Sequence, residues 1–149
     1  GLIGQRLDQW FDVQLAYTTT AAVLAATFVS LPFFVVTVEA ALRSVDPRYE
    51  DAARTLGASP GVVLRRVTLP SIRGALGAGS ALAWARALGE FGATITFAGS
   101  FAGRTQTMPL AINRALDTDV RAAILLSLVL LGVSVAVLAT LRDRWLGSA

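Results

Sequence analysis

Long uncharged stretches alternate with short charged ones along this chain. No charged residue occurs from Leu15 to Val38, and none from Ala122 to Leu141. A helix rises 1.5 Å per residue, so roughly 20 apolar residues cross about 30 Å of hydrocarbon and both stretches suffice. A third stretch, Gly74–Gly99, carries only Arg86 and Glu90 as charges. Wound into a helix, it places Gly77, Ala81, Ala85 and Gly89 on one stripe and Ala75, Gly79, Ala83 and Ala87 on the next. Leu76, Ser80, Trp84 and Leu88 form a bulkier stripe, and Ala78, Leu82, Arg86 and Glu90 the remaining one. Small residues at this spacing let backbones approach closely in lipid, so this helix is expected inside a bundle with little of it facing lipid. Pro32 is expected to kink the first span.

Composition agrees with the pattern. At 54% hydrophobic and 15% charged residues the chain lies outside the usual soluble balance. A buried core helix is the alternative reading of one such run, but two of this length point to an all-α membrane protein. Orientation follows from arginine, because the chain has no lysine. Arg43, Arg48, Arg54, Arg65, Arg66, Arg73, Arg142 and Arg144 fall on one side, against Arg6, Arg104, Arg114 and Arg121 on the other. The positive-inside rule then puts the C-terminus and the loop between the first two spans in the cytoplasm.

The expected segments are an external connection over 1–14, a span over 15–38, a cytoplasmic loop over 39–73 and a span over 74–99. An external or re-entrant segment over 100–121, a span over 122–141 and a cytoplasmic tail over 142–149 follow. Three spans with a cytoplasmic C-terminus place the N-terminus outside. Gly1 is preceded by no initiator Met or signal peptide that would put it there, so the expectation is an N-terminally truncated bundle. Leu7, Trp10 and Phe11 suit a membrane interface or packing under a loop, and Trp145 suits an interfacial anchor.

Absent residue types narrow the chemistry. Without His or Cys there is no basis for a catalytic triad, an HExxH site, a soft-metal centre or a disulfide. Without Lys there is no GxxxxGK[ST] phosphate loop. No cofactor, metal or catalytic residue is expected, and membrane-flanking arginines lend no support to nucleic-acid binding. An intramembrane enzyme finds no residues to build on.

The charged loop is heavily punctuated. Asp46 is a good N-cap, Pro47 suits a first helical turn and Gly57 a C-terminal cap, which predicts a helix over 47–56. Tyr49, Ala52, Ala53 and Leu56 share one face of it, while Arg48, Glu50, Asp51 and Arg54 cover the others. Ser59-Pro60 repeats the signal and predicts a second helix over 60–67, stopped by Pro70 before the next span. An amphipathic helix on the lipid surface needs a larger apolar face than this one, so docking into a protein groove fits better.

These residues carry a resemblance. Glu50-x-Ala52-Ala53, Gly57 and Leu69-Pro70 resemble the cytoplasmic EAA loop of permease subunits in type I ABC importers, whose transmembrane bundle is of the MetI-like class. Ala85-Arg86-Ala87-Leu88-Gly89-Glu90-Phe91-Gly92-Ala93-Thr94 resembles the molybdate and sulfate branch. Thr105-Gln106-Thr107-Met108-Pro109-Leu110-Ala111-Ile112 leans towards the molybdate/tungstate permease (ModB-like) family. The likeness runs through nearly the whole chain. It departs in lacking about two further N-terminal spans, and in reading Glu-Asp-Ala-Ala with Asp51 interrupting the signature.

The resemblance implies an alternating-access importer in a bacterial or archaeal inner membrane. A second copy of the permease, a dimer of cytoplasmic ABC ATPases and an extracytoplasmic oxyanion-binding protein would be its partners, with the lipid bilayer around it. Glu50, Ala52, Ala53, Leu56, Gly57, Leu69 and Pro70 would couple to the ATPase, Glu50 by pairing with a basic residue on it. A sulfate/thiosulfate permease is the competing cargo assignment, and a passive channel or structural membrane subunit the competing class.

Arg86 and Glu90 are the candidate pathway charges. Four apart, they can pair on one helix face, and each is costly in hydrocarbon unless paired or hydrated. Arg86 offers positive potential to a passing oxyanion while Glu90 holds it in place. The alternative is a structural pair, favoured because a tight anion site impedes release. Thr94 and Thr96, with Ser100, offer hydroxyl donors or bond back to their own helix. Met108-Pro109 suggests a re-entrant turn near the mouth.

Overall fold

The computed structural model describes residues 16–146, with side chains through Thr140. The expected connection over 1–14 therefore lies outside the described residues, as do the side chains of Arg142, Arg144 and Trp145. No strand occurs among the described residues.

The first charge-free stretch forms helix α1, Thr19–Ser44. Thr18 starts it by accepting the Ala21 N–H on its hydroxyl at 3.2 Å. The helix outruns the expected end at Val38, because Glu39 and Arg43 pair four residues apart at 2.7 Å and so continue the helix rather than end it. Pro32 lies inside it and withholds one helical N–H. The last stretch forms α8, Val120–Leu146. Asp119 caps it, its Oδ1 accepting from the N–H of Arg121 at 2.9 Å and of Ala122 at 3.2 Å. Both helices are long and apolar enough to cross a membrane.

The surfaces of these two helices are apolar and open. Phe28 and Val36 on α1 and Leu125, Leu128 and Leu131 on α8 are all exposed. A patch of that extent is unfavourable in water and suits lipid or a neighbouring helix. Four of their hydroxyls are closed on the helix itself. Thr27, Thr37, Ser127 and Ser134 donate to the carbonyls of Val23, Phe33, Ala123 and Leu130, four residues back, at 2.7–2.9 Å.

The third stretch departs from expectation. Residues 74–99 do not make one helix but two, α5 from Arg73 to Leu88 and α6 from Gly92 to Ala98 (numbered after the loop helices α2–α4 described below). At 16 residues α5 is about 24 Å long, short of the hydrocarbon thickness of about 30 Å. The interruption falls at Gly89-Glu90-Phe91. Gly89 is a poor helix former, and the buried Glu90 spends its carboxylate on starting the next helix.

The described chain divides into two compact units. One takes the chain up to Val29 together with Arg86–Val135. In it Ala98, fully buried, packs with Ala21 and Ala22. Tyr17 donates its N–H to the Phe97 carbonyl at 3.1 Å, and the Thr19 hydroxyl donates to the Arg104 carbonyl at 3.0 Å. The Tyr17 and Phe101 rings meet edge to face at 6.0 Å. Gly99 adopts φ +69°, and a Cβ there would lie 3.0 Å from the Phe101 ring, so both conformation and space require glycine. Phe101 then heads a tight turn: its N–H donates to the Thr105 hydroxyl at 3.1 Å and its carbonyl accepts from Arg104, Thr105 and Gln106. Helix α7, Met108–Leu116, follows.

The other unit takes Ser30–Ala85 and the chain from Ala136. Here α1 and α5 approach at Gly79, where an added Cβ would stand 3.2 Å from Phe34 Cδ2 and 3.3 Å from Thr37 Cβ. The small-residue stripe thus serves close approach at this point. Substituting alanine gains helix propensity of about 1 kcal/mol but crowds Thr37, whereas leucine gains nearly as much and crowds far more. In the full-length protein, Gly79→Ala is expected to stay within about 1 kcal/mol of the parent, and Gly79→Leu to lose about 1–3 kcal/mol by overpacking. Thermal unfolding in detergent checks both. Equal melting of the parent and Gly79→Leu would disprove the contact.

Candidate functional site

The charged loop is built from short helices with strong local ends. Helix α2, Pro47–Thr55, begins at Asp46, whose carboxylate accepts the Arg48 N–H at 2.9 Å. Its end is a Schellman turn. Gly57, at φ +84°, donates its N–H to the Arg54 carbonyl at 2.9 Å, and Ala58 donates to Ala53 at 3.1 Å. Leu56 occupies the cap position and is 87% exposed. Tyr49 and Ala52 are exposed as well, and Ala53 is half-buried. None of the α2 side chains is buried, so the helix presents its apolar residues outward.

The segment after Gly57 differs from the expected helix over 60–67. Helix α3 covers Pro60–Val63, a π-helical turn covers Leu64–Thr68, and a short α4 covers Leu69–Ser71. Pro70 does not stop the helix as expected; it sits within α4. Proline has no N–H and its ring clashes with the carbonyl four residues back, so the chain widens just before it, the Leu69 N–H reaching back to the Leu64 carbonyl.

Glu50 is engaged within the loop. Its Oε1 accepts the Thr68 hydroxyl at 2.6 Å, and its Oε2 pairs with Arg54 at 3.1 Å. Arg54 also reaches Asp51 at 3.3 Å. Sequence reasoning assigned Glu50 to an outside partner and missed Thr68 as its partner inside. The only sequence signal was the Leu69-Pro70 pair, whose effect on helix register is indirect.

The second candidate group surrounds the break between α5 and α6. Arg86 Nη1 pairs with Glu90 Oε2 at 3.1 Å, and Glu90 Oε1 accepts the Ala93 N–H at 2.8 Å. Glu90 is 5% exposed, whereas the Arg86 side chain is 39% exposed. Thr96 is exposed and donates back to the Gly92 carbonyl at 2.8 Å. Thr94 is almost fully buried, and among the described residues its hydroxyl has no hydrogen-bond partner, nor do those of Ser100 and Thr107. The structure therefore joins Arg86 to Glu90, turns Thr96 back on its helix and leaves Thr94 apart from both.

The family of binding-protein-dependent transport system inner membrane components matches residues 4–148. The chain belongs to this family. Among curated relatives, the molybdenum transport system permease protein ModB of Mycobacterium tuberculosis is 51% identical over 137 residues, covering 92% of this chain and 52% of the relative. ModB of Escherichia coli K12 is 40% identical over 146 residues, covering 98% of this chain and 64% of the relative. The sulfate transport system permease protein CysT of Salmonella typhimurium is 42% identical over 149 residues, covering 97% and 53%. The chain thus spans about half to two thirds of the length of these relatives.

Membership of this family makes the two long exposed helices intelligible as membrane spans, and it fits a MetI-like helical bundle. It also frames the Arg86–Glu90 pair. Removing Arg86 leaves a buried carboxylate without a counter-charge, a situation that costs about 3–5 kcal/mol, whereas removing the Glu90 charge leaves a guanidinium that water can reach. Arg86→Met is therefore expected to destabilise the full-length protein more than Glu90→Gln, and the double variant to recover part of the loss. Melting temperatures of the three variants in detergent test this. A double variant no better than Arg86→Met would remove the pairing argument.

Proposed function

We propose that the chain forms part of the membrane-spanning permease subunit of an ATP-driven importer of molybdate or tungstate. Its own residues include no ATPase site in this reading. Two permease copies form the pathway, a dimer of cytoplasmic ABC ATPases drives it, and an extracytoplasmic binding protein delivers the oxyanion. The subunit lies in the inner membrane with its C-terminus and the 39–73 loop cytoplasmic. The 100–121 segment lies on the external side, where α7 would line the mouth.

The observation that carries this reading is α2, a helix closed at both ends whose apolar side chains point outward from an otherwise membrane-bound chain. Such an element is a stiff lever with a docking face, and a flexible loop in its place would dissipate motion. Leu56, Ala52 and Ala53 supply the face, Gly57 the sharp exit, and Leu69-Pro70 the return towards α5. The cargo assignment is supported by the ModB relatives at 40–51% identity. A sulfate permease is the second reading, supported by CysT at 42% identity over nearly the whole chain. Molybdate and sulfate are both tetrahedral dianions and make similar demands on a pathway.

Arg86 contributes positive potential near the break in the third apolar stretch, with Glu90 fixing its position. Thr94 offers the pathway a hydroxyl with no competing partner among the described residues, while Thr96 already bonds to its own helix. Reconstitution of the full-length subunit with its ATPase in proteoliposomes tests the reading. Molybdate- or tungstate-loaded binding protein is expected to stimulate ATP-dependent uptake, and sulfate-loaded protein to do so weakly. Stimulation by sulfate alone moves the assignment to the second reading, and no stimulation by any of the three overturns the importer.

A further inference from the structure

In the loop, Val63, Thr68 and Ile72 are the buried residues between Gly57 and Arg73. Their spacing is not that of an α-helix, in which a residue five positions on is about 140° away from the starting face. Val67 would follow Val63 on that face in a regular helix. The π-helical turn at Leu64–Thr68 adds one residue to the turn and brings Thr68 round in its place. A threonine at a buried position needs a partner for its hydroxyl, and Thr68 finds it in Glu50, 18 residues away.

We propose that Thr68 is a positioning residue that latches α2 to the helical segment leading into α5. The 2.6 Å contact of a hydroxyl with a carboxylate oxygen has the short geometry of a charge-assisted hydrogen bond. It is the long-range side-chain bond that ties α2 to that segment. The other polar contacts of α2, from Asp46 to Arg48 and from Arg54 to Glu50 and Asp51, are local. Pro70 acts one step further back, since its missing N–H and its ring favour the widened turn that presents Thr68.

The latch makes the loop one stiff unit. A push on the Leu56 face reaches α5 through Glu50 and Thr68 as well as through the Ala58-Ser59 connection. This consequence rests on the lever reading given above; the latch itself does not.

Amide hydrogen exchange on the full-length subunit tests the latch directly. Thr68→Val keeps the shape and removes the hydroxyl, and Thr68→Ser keeps the hydroxyl. Exchange over residues 49–57 is expected to be about 10-fold faster in Thr68→Val, the loss of one hydrogen bond to a charged group. Thr68→Ser should stay within about two-fold of the parent by the same measure. Unchanged exchange in Thr68→Val, or equal acceleration in Thr68→Ser, overturns the latch. Should Thr68→Val also loosen α1 and α5, Pro70→Ala decides: faster exchange confined to residues 49–57 supports the latch, and none sinks it.

In proteoliposomes, Thr68→Val is expected to move fewer oxyanions per ATP hydrolysed, and Thr68→Ser to restore the ratio. Equal ratios in parent and Thr68→Val would remove the mechanical role. Failure of the parent itself to transport would count against the importer reading and leave the exchange result standing.

Discussion

Hydrocarbon offers no hydrogen bonds to a polypeptide, and this constraint organises the molecule. Each N–H and C=O at membrane depth must find a partner within the chain, so the two charge-free stretches become the continuous helices α1 and α8. At four of the helix starts a side chain close at hand accepts a freed N–H group. Thr18, Asp46, Glu90 and Asp119 do this for α1, α2, α6 and α8, and Thr105 does it for the turn after Gly99.

The charged loop solves a different problem. Helix α2 has nine residues and buries none of them, and an isolated helix of that length is marginal in water. Its order comes from its ends and from its sides. The Asp46 cap contributes about 1 kcal/mol, the Schellman turn closes the carbonyl end, and the Glu50–Arg54 pair adds a few tenths. Burial is left unused, so the apolar residues of α2 stay available to another surface.

The helices α1, α2 and α8 were legible because each rests on local pattern: absence of charge over a membrane length, or Asp-Pro at one end and Gly at the other. Two features were not. The run 74–99 has the overall hydropathy of a single span, and Gly89 and Glu90, each tolerated inside such a span, do not by themselves mark a break. What decides it is that buried Glu90 satisfies an N–H of a new helix while paired to Arg86, a tertiary preference that composition does not carry. The Glu50–Thr68 bond was equally hidden, since it depends on a π-helical turn that shifts the register of buried positions away from the 3.6-residue period. For the candidate pathway, the Arg86–Glu90 spacing was readable as a pair, but the opposite fates of the Thr94 and Thr96 hydroxyls required their surroundings.

The border between the two compact units runs through helices and not through loops. It falls at Val29–Ser30 within α1, at Ala85–Arg86 within α5 and at Val135–Ala136 within α8. Either unit, excised at its border, would therefore end in severed helical turns with bare carbonyls and amides. Dissection into fragments or domain exchange along that line would cut through three helices. Insertions and fusion points belong instead in the turn around Gly103, where the backbone leaves its helices and faces outward.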